Sequence, residues 1–322
     1  MPTDWSTRLQ LGRSGVWVTG LGFGGAPIGN LFRGVPEEQA EAAVWAAWDA
    51  GIRYFDTAPL YGHGLSESRL GRVLRGRPRG EFVLSTKVGR VLLPPAAGAD
   101  PSPSVFVEAG AFAPRFDFSR DGVLRSLESS LERLGLDRID VVLVHDPDDH
   151  EDDALQQAFP ALIRLREEGV VSAVGCGMNQ SAMLERFVER IDLDCILLAG
   201  RYSLLDLSGA ATLLPACAAR GVGVILGGVF NSGILIDPDD RPTYDYEAAP
   251  DAVVTRARRL RDCCSARGVP LATAALQFAL RHPAVSTVLV GARSPAEVTA
   301  DVAAAATDIE ETLWSELDLA AD

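Results

Sequence analysis

Ile52-Arg53-Tyr54-Phe55-Asp56-Thr57-Ala58-Pro59-Leu60-Tyr61 is the stretch on which the reading of the fold turns. A short run with the character of a buried β-strand ends at Asp56, the chain turns through Thr57-Ala58-Pro59, and the phenol of Tyr61 stands just beyond. A carboxylate closing a buried strand is costly unless it faces a cleft and meets a partner. Two later segments repeat the pattern: residues 81–86 deliver Lys87, and residues 139–144 deliver His145. Strand ends that carry Asp, Lys and His, with Tyr after the first, read as an enzyme.

Outward from that stretch the chain alternates. Core strands are expected near residues 21, 52, 81, 139, 170, 194, 223 and 285, each followed by a helical segment. The helices are signalled by apolar residues at spacings of three and four. Val123, Leu124, Leu127, Leu131 and Leu134 follow Ser119 in this way and stop at Gly135, and Pro36 and Pro270 suit helix starts. An eightfold strand-helix alternation is the sequence form of a closed (β/α)8 TIM barrel, here one domain over 1–322. Residues 9–19 predict an N-terminal hairpin or plug, and 294–306 and 310–319 predict extra C-terminal helices. A doubly wound sheet would need a tight G-x-G-x-x-G turn entering a helix. Gly20, Gly22, Gly24 and Gly25 do not supply one.

Two long segments break the rhythm. Residues 88–118 carry Pro94, Pro95, Pro101, Pro103 and Pro114, which argue against a regular element. Leu92, Leu93, Phe106, Phe112, Phe116 and Phe118 predict buried anchors in the same segment, so it is expected to sit over the barrel mouth and shape the substrate pocket. Residues 237–250 form a polar loop with Tyr244 and Tyr246. The run from Asp146 to Asp153 matches no calcium loop, so no metal is expected. It reads as a solvated loop in which Asp146 or His150 would meet substrate hydroxyls, before a helix over 154–168.

Composition excludes several partners. Thirty Lys and Arg against 44 Asp and Glu leave a formal charge of −14, which repels nucleic acid and anionic membranes. No apolar run reaches the ~18–20 residues of a membrane span, and the N-terminus lacks the pattern of a secretory signal. The expected location is cytoplasmic and the expected partner a small molecule, with the chain a monomer or a homo-oligomer. The five cysteines form no C-x-x-C pair and no disulfide framework. Cys176, near a strand end, is the one expected to approach the site.

In a barrel, the C-terminal strand ends converge in one mouth. Asp56, Lys87 and His145 occupy such ends, with Tyr61 beside the first. A tyrosine with a reference pKa of about 10 is a poor proton-transfer group near neutrality. An ammonium from Lys87 would favour the phenolate, Asp56 would hold that ammonium, and His145 would orient a substrate oxygen. Such a relay suits interconversion of an alcohol and a carbonyl, with hydride carried by a cofactor.

These residues carry a resemblance. Asp56-Thr57-Ala58-Pro59-Leu60-Tyr61-Gly62, Ser85-Thr86-Lys87, the helix over 126–136 leading to His145, and Gly175-Cys176-Gly177-Met178-Asn179 together resemble the aldo-keto reductase superfamily over nearly the whole chain. The resemblance implies Tyr61 as acid/base, Lys87 and Asp56 as its pKa partners, His145 as the orienting residue and Asn179 on the nicotinamide carboxamide. More narrowly, 145–150, 177–180, 199–202 and 230–233 resemble the aldose 1-dehydrogenase branch, which implies oxidation of the anomeric hydroxyl of a cyclic hemiacetal to a lactone. The alternative is NADPH-dependent reduction of aldehydes or ketones.

Ala199 and Gly227 depart from the family pattern, where many members have glutamine and a stacking tyrosine, so Arg201, Tyr202 or Phe230 is expected to contribute instead. The cofactor contacts expected are Asn179, Phe230, Asn231, Gly233, Gly291, Ala292, Arg293, Glu297 and Asp301. Asn231 is open between a turn former and a cofactor contact. Acidic Glu297 and Asp301 would repel a 2′-phosphate and favour NAD, while Arg293 leaves NADP open. Ser294 and Glu297 also have capping-box spacing, so Glu297 is open to facing its own backbone.

Overall fold

In the computed structural model of the protein, which describes residues 4–95 and 104–321, the alternation closes on itself. The barrel strands are β1 (Leu21–Gly24), β2 (Tyr54–Asp56), β3 (Val83–Val88), β4 (Val141–His145), β5 (Ala173–Met178), β6 (Cys195–Ala199), β7 (Gly223–Gly227) and β8 (Val285–Val290). Each pairs in parallel with its sequence neighbours, and β8 pairs with β1 to complete the ring. Helices between the strands pack around it. The antiparallel hairpin of Arg8–Gln10 with Trp17–Thr19 precedes the first barrel strand, and Leu11, Val16 and Val18 plug the barrel floor.

The two-residue period of a strand decides what faces inward. Tyr54, Val141, Leu143, Ala173, Cys195, Leu197, Ile225 and Leu289 form the inner core, while residues of opposite parity join the larger shell between barrel and helices. Register then sets heights. Asp56 lies level with Ser85, Lys87 with Leu143, and His145 with Gly177. Above the inner core the inward positions on several strands are small, Gly177, Ala199 and Gly227 among them, and the mouth is left open for a ligand.

The same parity corrects the expectation for Cys176. It alternates with the inward Gly175 and Gly177, is fully buried in the outer shell, and does not reach the mouth. Burial pushes its thiol well above the ordinary range.

Helix boundaries follow the caps. The Ser119 side chain accepts from the N–H of Gly122, and Gly135 ends the helix Arg120–Leu134 in a left-handed conformation. The helix expected from 154 begins at Glu151, inside the charged run, and widens to a π turn over Ala154–Ala158 just before Pro160. A proline has no N–H to continue the regular ladder, and the widened turn accommodates it.

The described parts of 88–118 hold more regular structure than the prolines predict. Arg90–Leu93 pairs antiparallel with Ala113–Phe116, so Pro114 lies in an isolated ribbon; a ribbon with two open edges tolerates proline. Leu93, Phe112 and Phe116 are exposed, not buried anchors, whereas Phe106 and Phe118 are buried. Residues 105–107 bond along 30–32, which seats Phe106 over the barrel mouth. Pro101 and Pro103 lie outside the described residues. The loop expected at 237–250 contains a short ribbon, Thr243–Tyr244 with Glu247–Ala248.

Candidate active site

Asp56, Lys87 and His145 meet at the C-terminal mouth because each closes or nearly closes its strand with inward parity. Lys87 Nζ donates to Asp56 Oδ2 at 2.7 Å and to the carbonyl of Thr57 at 2.9 Å, in surroundings that leave it 1% exposed. Ser85 Oγ donates to Asp56 Oδ1 at 2.7 Å and shares a 2.9 Å hydrogen bond with the Tyr54 hydroxyl. Both carboxylate oxygens are therefore engaged. Ser85 has no assigned role in the sequence reading, yet its position two residues before Lys87, hence on the same strand face, was a signal for it.

Tyr61 is placed by its turn. Its N–H donates to the carbonyl of Ala58, and its ring lies with its centroid 4.5 Å from Lys87 Nζ. The His145 imidazole stands edge-on to it with ring centroids 5.8 Å apart, and Phe106 packs against it at the same separation. Gly25 makes the close packing beneath tolerable: its N–H donates to Asp56 O at 2.7 Å, and a Cβ there would meet Ser66 Oγ at 2.5 Å.

The electrostatics follow from burial. Burial raises the Tyr61 phenol, the charge of Lys87 lowers it and that of Asp56 raises it, with a net pKa of about 12. The ammonium acts in the direction expected from the sequence, and loss of hydration outweighs it. Burial disfavours the Lys87 ammonium, but Asp56 and Tyr61 outweigh that and leave it above its ordinary range. His145 is pushed well below its usual value, first by burial and then by Arg90 and Lys87, so it is neutral.

Two adjoining cavities of about 270 and 250 Å³ share Tyr61, Asn179, Ala199 and Tyr246 on their walls. The first runs from Asp56 and Tyr61 out past Gly291 and Arg293; the second holds Tyr61, Lys87, His145, Asp146 and Phe106.

Of the expected cofactor residues, Asn179, Phe230, Asn231, Gly233, Gly291 and Arg293 line the first cavity. Ala292 does not; it is fully buried in the outer shell because it points the opposite way from its neighbours. Glu297 is engaged elsewhere: Oε2 accepts from the N–H of Arg293 at 2.7 Å, Oε1 accepts from Arg33 at 3.2 Å, and its own N–H donates to Ser294 Oγ. Asp301 is absent from the cavity wall, and burial together with Glu297 raises its pKa to about 7.

The long cavity suits a nicotinamide dinucleotide. Among the described residues Asn231 Oδ1 and Arg293 Nε, buried along it, have no hydrogen-bond partner, while Asn231 Nδ2 donates to the carbonyl of Gly200. At Gly291 an added Cβ would lie 2.6 Å from Pro27 Cγ, a neighbour on the same wall, so the Gly291 backbone must stay bare there. Residues with unmet hydrogen-bonding capacity beside bare backbone are what a polar, extended ligand needs.

Arg201 and Tyr202 turn away. Arg201 makes a two-pronged ion pair with Asp245, and Tyr202 stacks on Phe278 and against His282. The aromatic surfaces at the cavity are instead Phe230, Phe32 and Tyr246, the last two with centroids 6.0 Å apart. Phe32, Asp245 and Tyr246 all have left-handed backbone, which nothing in their local sequence announces. His150 packs against the stacked Phe116 and Phe118 rings, at 4.8 and 5.1 Å, and is not on the cavity wall. Among the described residues no group of His, Cys, Asp and Glu gathers in a way that could hold a metal ion, and no helix is long and apolar enough to cross a membrane.

Comparison with known proteins agrees with this architecture. A sequence model of the aldo/keto reductase family matches residues 20–322. The chain is 45% identical over 319 residues to a D-threo-aldose 1-dehydrogenase from a Pseudomonas species, covering 97% of each chain. It is 43% identical over 331 residues to a pyridoxal 4-dehydrogenase of Microbacterium luteolum, covering 97% of this chain and 96% of the other. The solved holo structure of an aldo-keto reductase of Bacillus halodurans superposes with a TM-score of 0.79 at 29% identity, over 98% of this chain and 96% of that one.

Proposed function

The chain belongs to the aldo/keto reductase family and is an oxidoreductase, and on that premise we propose that it oxidises the anomeric hydroxyl of an aldose or similar cyclic hemiacetal to a lactone. The whole chain would work as one barrel domain. The observation that carries the proposal is the convergence of Tyr61, Lys87 and His145 on one cavity wall, with Asp56 bound to Lys87 behind them and a long cleft with unmet polar groups alongside.

A nicotinamide cofactor bound there would supply the hydride acceptor for the anomeric carbon. Asn179, on both cavity walls, and Asn231 and Arg293 in the long cleft are the residues that would hold the cofactor. Tyr61, as the phenolate, takes the hydroxyl proton as the C1–O bond becomes a carbonyl, and the phenol so formed then releases it to solvent. Lys87 stabilises the phenolate, and Asp56 and Ser85 fix the ammonium where it can do so. Neutral His145 donates one hydrogen bond to the substrate oxygen and sets its orientation without adding charge.

NAD is the cofactor this reading favours. The helix after β8, Pro295–Ala306, carries no basic residue to pair with a 2′-phosphate, neither Glu297 nor Asp301 lines the cavity, and Arg293 Nη2 already donates to the carbonyl of Leu31.

The test is the initial rate of nicotinamide reduction, with NAD and NADP separately, on L-fucose, D-arabinose, L-galactose and pyridoxal, with identification of the product. Lactone formation is expected. In Tyr61→Phe, turnover should fall by roughly 10²-fold or more. Idle aldoses alongside rapid NADPH oxidation by simple aldehydes would reject the proposal, as would near-normal turnover of the Tyr61→Phe variant where chemistry limits the rate.

A further inference from the structure

Asp146 follows His145 directly, one residue past the end of β4, and its backbone lies at φ +42°. Left-handed backbone is uncommon for a residue with a side chain and persists where the surroundings impose it. Here the N–H of Asp146 donates to Gly177 O at 3.0 Å, which pins the turn to the neighbouring strand. The turn brings the carboxylate to the wall of the second cavity, beside Tyr61, His145 and Tyr246.

The carboxylate is held from one side only. Arg90 Nη2 donates to Oδ2 at 3.2 Å, while Arg90 Nη1 donates to the carbonyl of His145 at 3.1 Å. The guanidinium is itself placed by the Phe116 ring, 4.5 Å away. Oδ2 also lies 3.5 Å from His145 Nε2. Among the described residues Oδ1 accepts no hydrogen bond, and the side chain keeps 29% of its surface open.

A carboxylate can only accept hydrogen bonds. With Tyr61 and His145 occupied by the reacting oxygen, a free carboxylate oxygen of Asp146 on the same cavity wall would meet whatever the neighbouring carbon carries. A hydroxyl there supplies the missing donor. A bare or aromatic carbon would strip water from the carboxylate and return nothing, the condition under which a polar site rejects an analogue strongly.

We infer that Asp146 is a specificity-determining residue that accepts a hydrogen bond from the hydroxyl adjacent to the reacting carbon, and so selects polyhydroxylated substrates. The inference rests on the proposed oxidoreductase site and names what its substrates share.

The experiment compares D-arabinose with 2-deoxy-D-ribose, the same sugar without its 2-hydroxyl, in the wild type, Asp146→Ala and Asp146→Asn. In the reductive direction glyceraldehyde and 3-hydroxypropanal form the equivalent pair. Circular dichroism checks the fold of each variant. The wild type should prefer the hydroxylated member by at least about tenfold in kcat/KM, and Asp146→Ala should bring that ratio to within about twofold. The loss should lie mainly in KM for the hydroxylated member, with the deoxy member little changed. Asp146→Asn, which keeps an acceptor oxygen, should retain part of the preference and serves if the alanine variant does not fold. A wild-type ratio near one, or an equal loss on both members, would overturn the inference. Failure of the hemiacetal reading appears separately, as idle sugars with active aldehydes, and the aldehyde pair then decides the role of Asp146.

Discussion

Replacing Asp56 by Asn tests how the site is held together. The substitution keeps the shape of the side chain and leaves the Lys87 ammonium, 1% exposed and 2.7 Å away, facing a neutral amide. Removing one partner of a buried ion pair costs about 3–5 kcal/mol, because the other charge stays buried without compensation. A chain of 322 residues unfolds with an entropy of about 0.7 kcal/mol/K, so the melting temperature should drop by about 4–7 °C. Lys87→Met strands the carboxylate instead, with Ser85 as its remaining side-chain donor, and should cost a comparable amount. The double variant removes both charges and should be clearly more stable than the sum of the two losses predicts, with a coupling of about 2 kcal/mol or more. Scanning calorimetry of the four proteins measures this directly. Losses that add to within about 0.5 kcal/mol would refute the pairing and leave Thr57 O as the sole anchor of Lys87.

Three further predictions follow from the same geometry. Because burial sets the Tyr61 phenol at about 12, oxidation needs a form scarce near neutrality, so its kcat/KM should climb by up to tenfold per pH unit between about pH 7 and 9; a flat profile would remove Tyr61 as the base. His145 has its pKa depressed in the folded state, so below about pH 6.5 the unfolded chain takes up a proton that the native site refuses. Stability should therefore fall with pH there, by up to about 1.4 kcal/mol per unit, and this contribution should vanish in His145→Gln as read by urea unfolding. Gly291→Ala places a Cβ 2.6 Å from Pro27 Cγ and should raise the KM for the nicotinamide cofactor several-fold with little change in kcat; an unchanged KM would move the cofactor away from that wall.

Much of this protein is local information. Strand periodicity, the Ser119 and Gly135 helix ends and the placement of Asp56, Lys87 and His145 at strand termini are legible because strand and helix periods act over a few residues. Those periods are also enough to imply the barrel, since parallel strands separated by helices have few ways to close. Parity could have gone further in the same way, placing Ser85 beside Asp56 and Cys176 outside the barrel.

What the chain order could not determine depends on groups far apart in sequence. Glu297 is satisfied in part by Arg33, 264 residues away, and Arg201 by Asp245, 44 residues away. The Tyr246 ring reaches both cavities through left-handed backbone in a loop with no periodic pattern. The Tyr61 pKa shows the same division. Sequence identified the ammonium that lowers it, but the larger opposing effect is loss of water, and desolvation is a property of the packed surroundings that no spacing of residues encodes.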